Sequence, residues 1–260
     1  MKTNAHAPDE GRQSGRHGQA AARPARSRDA HDEPRQTPRT LSHFALLRFT
    51  AAWWQLADQD RRRQREALAA ALADLGDARH LYQVFPAQDS ADLLLWTALR
   101  EAAPAAVHAF FRDYAARLAC FRGVLTCREP LWGFTRPSTY TRVRSAQEMD
   151  PFTADRQPFL VLYPFVKTTG WYALSRDTRQ GMMNGHIRVG KEYPDITQLL
   201  LYSTGVQDQE FVVVYETADL TRFSDLVTRL RSTEARAYTE RDTPLTTAFY
   251  HPSGAALDLF

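Results

Sequence analysis

The sequence predicts an α+β protein of the dimeric α/β-barrel type, in which two ferredoxin-like (split βαβ) halves each form an antiparallel sheet backed by two helices. Strand and helix signals follow the order strand, helix, strand, strand, helix, strand twice along the chain. The sequence also repeats itself: residues 88–96 match residues 207–215 at an offset of 119, and residues 53–56 match residues 171–174 at an offset of 118. Two blocks with nearly the same offset predict an internal duplication.

The first half is predicted to span residues 41–134 and to be structural. Apolar residues alternate or run continuously where strands are predicted, and recur at helical spacing where helices are predicted. The predicted elements are a strand at Phe44–Phe49, a helix at Asp60–Leu75, strands at His80–Phe85 and Ala91–Leu99, a helix at Ala103–Leu118 and a strand at Phe121–Phe134.

The second half is predicted to span residues 158–252 and to carry the functional site. A segment rich in Pro, Ser, Thr, Asp and Arg, residues 135–157, is the predicted linker, and residues 253–260 are a predicted C-terminal tail. The opening helix of this half holds His186, whereas the opening helix of the first half has no histidine. Its predicted elements are strands at 158–168, 196–204, 210–217 and 243–250, and helices at 175–190 and 220–235.

Residues 1–40 of the 260-residue chain are predicted to be a disordered tail. From Lys2 to Thr40 there is no Val, Ile, Leu, Phe, Tyr or Trp, so burial cannot offset the entropy of ordering this segment. Its eight basic and five acidic residues account for the whole net charge of +3. We interpret it as a solubilising extension, with weak binding to nucleic acid or anionic lipid as the alternative.

The rest of the chain has equal numbers of basic and acidic residues, which argues against a nucleic-acid partner. No apolar run of 18 or more residues occurs, and no hydrophobic signal segment follows Met1. These features predict a cytoplasmic protein without membrane insertion. Phosphate-binding Gly-rich loops, G-x-S-x-G, H-E-x-x-H and paired-cysteine zinc motifs are also absent from the sequence.

The two cysteines, Cys120 and Cys127, fall in a predicted strand, where their odd spacing directs them to opposite faces. This spacing argues against a disulfide within the strand, and two cysteines alone do not form a metal site. We therefore expect both to be small buried apolar residues.

His186 is the candidate metal ligand. It lies on a predicted helix near Met182, Met183 and Val189, and an ordinary packed histidine is the alternative interpretation. A haem iron needs a neutral imidazole whose other nitrogen is held by an acceptor. Glu216, a carboxylate in an otherwise apolar strand, is the candidate acceptor because an acid at such a position needs a partner.

Five further side chains are candidates for binding or chemistry. Tyr163 and Lys167 are four residues apart on one strand and so share a face, although a strand bend with a solvated lysine also fits. Gln198 enters a run of leucines, where a buried amide needs partners. Arg231 and Arg236 follow the last helix, where they either stabilise its dipole or bind ligand carboxylates.

The motifs of the second half resemble the chlorite dismutase family and, within it, the coproheme decarboxylases. The resemblance covers about residues 42–252 and is most specific in the second half. It is carried by Tyr163–Lys167, Trp171-Tyr172, Met183–Asp195, Asp208–Phe211 and Leu230–Arg236. It implies two ferredoxin-like halves per subunit and a homopentamer.

The resemblance also implies roles for individual residues. His186 would be the proximal iron ligand, Tyr163 the catalytic tyrosine, Lys167 a propionate partner and Gln198 the distal residue. Arg231, Arg236, Trp171 and Glu216 complete the predicted cofactor-binding set. The propionate-binding arginine of some members is absent here, with Met149 and Asp150 near its place, and Arg142 and Arg144 are its candidate substitutes.

The implied activity is the hydrogen peroxide-dependent oxidative decarboxylation of iron coproporphyrin III (coproheme) to haem b. Chlorite dismutases place an arginine at the distal position, and a neutral glutamine retains anionic chlorine oxides less well. A chlorite dismutase or haem peroxidase is the first alternative function. A non-catalytic haem-binding or interaction protein is the second.

Overall fold

The computed structural model describes residues 39–141 and 145–260. The predicted tail, apart from Arg39 and Thr40, therefore lies outside the described residues, as do Arg142 and Arg144. The strands are β1 Leu41–Phe49, β2 Ala78–Gln83, β3 Leu93–Leu99, β4 Leu125–Phe134, β5 Phe159–Lys167, β6 Thr197–Tyr202, β7 Phe211–Thr217, β8 Thr239–Arg241 and β9 Thr246–Tyr250. The helices are α1 Ala51–Trp54, α2 Asp58–Leu72, α3 Pro104–Ala119, α4 Thr169–Ala173, α5 Arg176–Lys191 and α6 Leu220–Arg231, with 3-10 helices at Glu234–Tyr238 and Pro252–Leu259.

The predicted duplicated fold is confirmed by the strand order. The first half has the order β4-β1-β3-β2 and the second half β6-β7-β5-β9, which is the same antiparallel arrangement twice. The halves join where Phe134 of β4 pairs with Tyr202 of β6 and where Tyr82 of β2 pairs with Tyr250 of β9. These pairings close eight strands into a ring, to which β8 adds by pairing with β5.

The ring encloses a packed apolar core. Strand residues that point inward include Phe44, Trp96, Leu160 and Val214, all inaccessible to solvent. Because this interior is filled by side chains, a site for a large ligand must lie on the outer, helix-covered faces.

In the first half, helices α2 and α3 close over the outer face of the sheet. Leu68 and Leu72 of α2 and Phe110 of α3 are buried in one cluster with residues of β1 and β3. The 3-10 helix Pro252–Leu259 joins the same cluster, and the indole nitrogen of Trp53 donates a hydrogen bond to the carbonyl oxygen of Phe260 at 3.0 Å. The predicted C-terminal tail is therefore wrong, because residues at its end belong to the first-half core.

The prediction that both cysteines are buried in a strand is also wrong. Helix α3 continues to Ala119 and has Cys120 as its C-cap, so β4 begins only at Leu125. Cys120 and Cys127 are both free and exposed. In the part of the chain that the structure describes, no helix has the length and apolarity needed to cross a membrane.

Candidate functional site

The outer face of β5, β6 and β7 carries the candidate site. Antiparallel pairing aligns Tyr163 of β5 with Val213 of β7 and Val213 with Leu200 of β6, so these three side chains form one row across the face. Leu200 is 45% exposed although it lies within a strand that pairs with β7. An exposed leucine in this row marks an accessible apolar floor.

Helix α5 lies at the edge of this floor. It begins where the hydroxyl of the N-cap residue Ser175 accepts a hydrogen bond from the amide of Thr178 at 3.1 Å. Its main neighbours are α6 and the 3-10 helix Glu234–Tyr238. None of its 16 residues is fully buried, although Val189 packs on the outer core of the second half. The side chains of this helix therefore stay at least partly accessible.

His186 of α5 is a neutral imidazole with a buried, unpaired nitrogen. Burial, followed by the charge of the Lys167 ammonium, lowers the pKa of His186 to about 4. Its buried Nδ1 atom has no hydrogen-bond partner among the described residues. A buried nitrogen left unpaired costs free energy, and a neutral imidazole is the form that binds metal ions. The residue fits an axial metal ligand.

Tyr163 supplies a buried phenol on the floor. Its ring stacks near that of Tyr215, with centroids 6.4 Å apart and an interplanar angle of 27°. Burial, followed by the neighbouring Tyr215 phenol, raises the pKa of Tyr163 well above its usual value. The hydroxyl therefore keeps its hydrogen at neutral pH and can lose it in an oxidation.

Lys167 lies at the end of the same strand. Its ammonium is 4.4 Å from the ring centroid of Trp171 and 3.4 Å from the carbonyl oxygen of Ala235, to which it donates. Burial lowers the pKa of Lys167 to about 8, against the opposing charge of Glu210. A partly desolvated ammonium with few anionic partners favours an added carboxylate.

Arg231 and Arg236 meet at one carboxylate, Asp242. Nη2 of Arg231 lies 3.1 Å and Nη1 of Arg236 lies 2.5 Å from the same Oδ2 atom. Asp242 and Arg231 also act electrostatically on Tyr163, and Arg236 acts on Lys167. The structure thus brings the predicted phenol and the three predicted cations together.

Gln198 of β6 faces the same side, because it pairs with Tyr215. Its side chain is exposed, while its backbone amide donates to the carbonyl oxygen of Gln147 at 2.8 Å and its carbonyl accepts from the amide of Met149 at 2.9 Å. The amide side chain is therefore free to contact a ligand at the open edge of the floor.

Glu216 does not belong to this site, and its predicted role as a cofactor-binding residue or as the acceptor for His186 is wrong. It alternates with Tyr215 along β7 and so points into the barrel. Its carboxylate accepts a hydrogen bond from the hydroxyl of Tyr82 at 3.0 Å and lies 3.6 Å from Nη1 of Arg156. Glu216 therefore belongs to a buried polar cluster that includes Arg156 of the predicted linker.

Two residues of the site, Tyr215 and Asp242, were not predicted from the sequence. Tyr215 occurs in the repeated block at residues 207–215, and the register places it opposite Val161, on the same face of the sheet as Tyr163. Asp242 follows the three-residue strand β8, which has no detectable sequence signal of its own. Pairing of β8 with β5 places this carboxylate at the site.

Residues 61–250 match the family described as chlorite dismutase. This match covers well over half of the chain, so the protein belongs to the chlorite dismutase family, which binds haem and includes enzymes.

Two relatives illustrate the similarity. The coproheme decarboxylase of Mycolicibacterium smegmatis is 27% identical over 174 residues, which cover 65% of this chain and 71% of that protein. The structure of the chlorite dismutase of Candidatus Nitrospira defluvii in complex with imidazole superposes with a TM-score of 0.71 at 21% identity, covering 85% of this chain and 94% of that one. The second likeness concerns the fold alone.

Proposed function

We propose that this protein is a coproheme decarboxylase that converts iron coproporphyrin III to haem b with hydrogen peroxide as the oxidant. The observation that carries the proposal is that an accessible apolar floor with a protonated, partly buried phenol and three cations has a neutral imidazole close enough to interact with one of those cations. The similarity to the M. smegmatis enzyme supports the choice of substrate.

The reaction balances for each propionate group. A propionic acid side chain and one hydrogen peroxide give a vinyl group, carbon dioxide and two water molecules. The bound iron porphyrin supplies the redox chemistry, and the protein supplies orientation, charge and a hydrogen-transferring residue. Two such rounds convert four carboxylates to two.

His186 would hold the iron through a ring nitrogen. Because its pKa is about 4, the imidazole binds without first losing a proton at neutral pH. The apolar floor formed by Leu200 and Val213 would contact the macrocycle.

Tyr163 is the residue that would transfer hydrogen. Once its phenolic hydrogen is lost as a proton and an electron, the oxygen could take a hydrogen atom from the adjacent propionate. Loss of carbon dioxide would then release one further electron, which would return to the peroxide-oxidised iron porphyrin as the vinyl group forms. The raised pKa favours this role, because a protonated phenol is the form that starts the cycle.

Lys167, Arg231 and Arg236 would bind substrate carboxylates, and Trp171 would position the ammonium of Lys167. A tetracarboxylate gains more from these cations than a dicarboxylate does, which suits a substrate that loses two carboxylates. Gln198 would face the open side as a neutral hydrogen-bonding group. We also propose a cytoplasmic homopentamer whose first half has a structural role.

A chlorite dismutase or a haem peroxidase is the alternative that family membership favours. Oxygen release from chlorite would identify the first. A haem-binding protein without turnover would take up the porphyrin and leave it unchanged.

The proposal is tested by mixing the purified protein with iron coproporphyrin III and hydrogen peroxide and weighing the porphyrin product by mass spectrometry. Decarboxylation removes one carbon dioxide and two hydrogen atoms per propionate, and we expect two such losses. Binding with no change in porphyrin mass would refute the proposed activity.

A further inference from the structure

The two arginines of the site share one small acceptor. Arg231 at the end of α6 and Arg236 in the following 3-10 helix both bond Oδ2 of Asp242, at 3.1 and 2.5 Å. The side chain of Asp242 is only 16% exposed, whereas those of Arg231 and Arg236 are 50% and 38% exposed. The carboxylate is therefore the fixed partner, and the guanidinium groups are the mobile ones.

The backbone explains why Asp242 is fixed. Strand β8 pairs with β5, with Val166 opposite Arg241 and Lys167 opposite Thr239. Asp242 follows this ladder directly, so it is held against the strand that carries Tyr163 and Lys167. The position of the carboxylate is thus tied to the floor rather than to α6.

We infer that Asp242 is a positioning residue that holds Arg231 and Arg236 in one orientation for the carboxylates of a tetracarboxylate porphyrin. This inference rests on the proposed function and deepens it. Each guanidinium has five N–H donors, so bonding to one oxygen of Asp242 leaves donors for a second carboxylate. A pair of arginines ordered in advance loses less conformational freedom when the substrate binds.

The charge of Asp242 repels an incoming carboxylate, but this repulsion is smaller than the gain from ordering the two arginines. Lys167, Arg231 and Arg236 carry three positive charges close to Asp242 and Glu210, so the cations remain in excess. The arginines are also partly exposed, where solvent screens charge repulsion. Ordering two long side chains is therefore the dominant contribution of Asp242.

The test measures binding of two metal-free porphyrins, which separates carboxylate recognition from iron ligation. Wild-type protein and the variants Asp242→Ala and Asp242→Asn are titrated with coproporphyrin III, a tetracarboxylate, and with protoporphyrin IX, a dicarboxylate. The matched control is Asp195→Ala, which removes a bidentate ion pair to Arg222 of α6 at 2.7 and 2.8 Å, away from the site.

We expect Asp242→Ala to bind coproporphyrin III about tenfold more weakly, with a smaller loss for protoporphyrin IX, because two side chains lose their order. Asp242→Asn keeps an acceptor oxygen and should lose less. Asp195→Ala should bind both porphyrins as the wild type does. Equal losses for both porphyrins, unchanged binding, or tighter binding by either Asp242 variant would overturn the inference.

The turnover assay with peroxide distinguishes a failure of the inference about Asp242 from a failure of the proposed activity. If wild-type protein decarboxylates coproheme while Asp242→Ala keeps its preference for the tetracarboxylate, only the inference about Asp242 fails. If Asp242→Ala loses the preference but wild-type protein never changes the porphyrin mass, the inference holds and the proposed activity fails.

Discussion

The two halves of the molecule share one scaffold, and they differ in what covers it. In both halves a buried tryptophan, Trp53 or Trp171, lies four residues after the last residue of the first strand of that half, β1 or β5. In both halves the backbone amide of that strand end donates to a carboxylate at 2.7 Å, from Phe49 to Asp92 and from Lys167 to Glu210. Each of these features recurs at an offset of 118, so the duplication extends to single hydrogen bonds.

The side chain at the strand end is where the halves diverge. Phe49 stacks on Trp53 with centroids 4.2 Å apart, whereas the ammonium of Lys167 lies 4.4 Å from the Trp171 centroid. The first half has helices with buried leucines and phenylalanine, while α5 of the second half has no fully buried residue. A site can therefore arise when one copy of a duplicated scaffold gives up part of its apolar core.

The largest expected effect is that of Tyr163→Phe. The variant should bind iron coproporphyrin III but form no haem b above background, because a benzene ring has no hydroxyl hydrogen to lose. Mass spectrometry of the porphyrin after peroxide addition measures this. Tyr114→Phe, which alters a buried phenol of the first half, is the control and should leave product formation intact. Normal turnover by Tyr163→Phe would remove the tyrosine from the mechanism.

The second prediction compares two imidazoles whose pKa values burial lowers to about 4, the fully buried His43 in the first half and the partly buried His186 in the second. His186→Ala should change the absorption spectrum of the bound iron porphyrin, because the iron loses its nitrogen ligand. His43→Ala should leave the spectrum unchanged and lower the free energy of unfolding by about 2–4 kcal/mol, as expected for a cavity beside Phe110 and Tyr114. Identical spectra for the two variants would contradict the assignment.

The third prediction exchanges the residues that distinguish the halves. Phe49→Lys should destabilise the fold by about 3–5 kcal/mol, because it buries a charge and breaks the stack on Trp53. Lys167→Phe should raise the melting temperature, because it removes an ammonium whose pKa is lowered by burial, and should weaken coproporphyrin III binding. Thermal denaturation and porphyrin titration measure the two effects. A stabilising Phe49→Lys would refute the distinction between the halves.

The smallest expected effect is a pH dependence. The pKa of Lys167 is about 8, so the ammonium that pairs with carboxylates is present below this pH and lost above it. Binding of metal-free coproporphyrin III should therefore weaken as pH rises through 8. Over the same range and up to its unfolded value, Lys167 contributes stability that rises with pH, because its ammonium keeps its proton longer in the unfolded chain. Lys167→Met should remove both contributions relative to the wild type, and unchanged pH profiles in the variant would exclude Lys167 as their source.

Much of the fold could be predicted, because period-two and helical apolar patterns are long and the two copies support each other. The shared face of Tyr163 and Lys167 followed from strand alternation alone. The prediction for Glu216 was wrong because alternation along β7 does not tell which of its residues share a face with Tyr163. Only the register between β5 and β7 decides that. Residues such as Asp242 reach the site through tertiary pairing of a very short strand, which local sequence does not encode.

The buried contact of Arg156, Glu216 and Tyr82 has a consequence for the evolution and engineering of this molecule. One member comes from each sheet and one from the segment between them, and the side chains of Arg156 and Glu216 are 2% and 3% exposed. Separating the two copies would take the hydroxyl of Tyr82 away from Glu216 and leave a buried carboxylate without one of its hydrogen bonds, at a cost of about 1–3 kcal/mol. The two copies have thus diverged in task, but each now depends on the other for the stability of the fold.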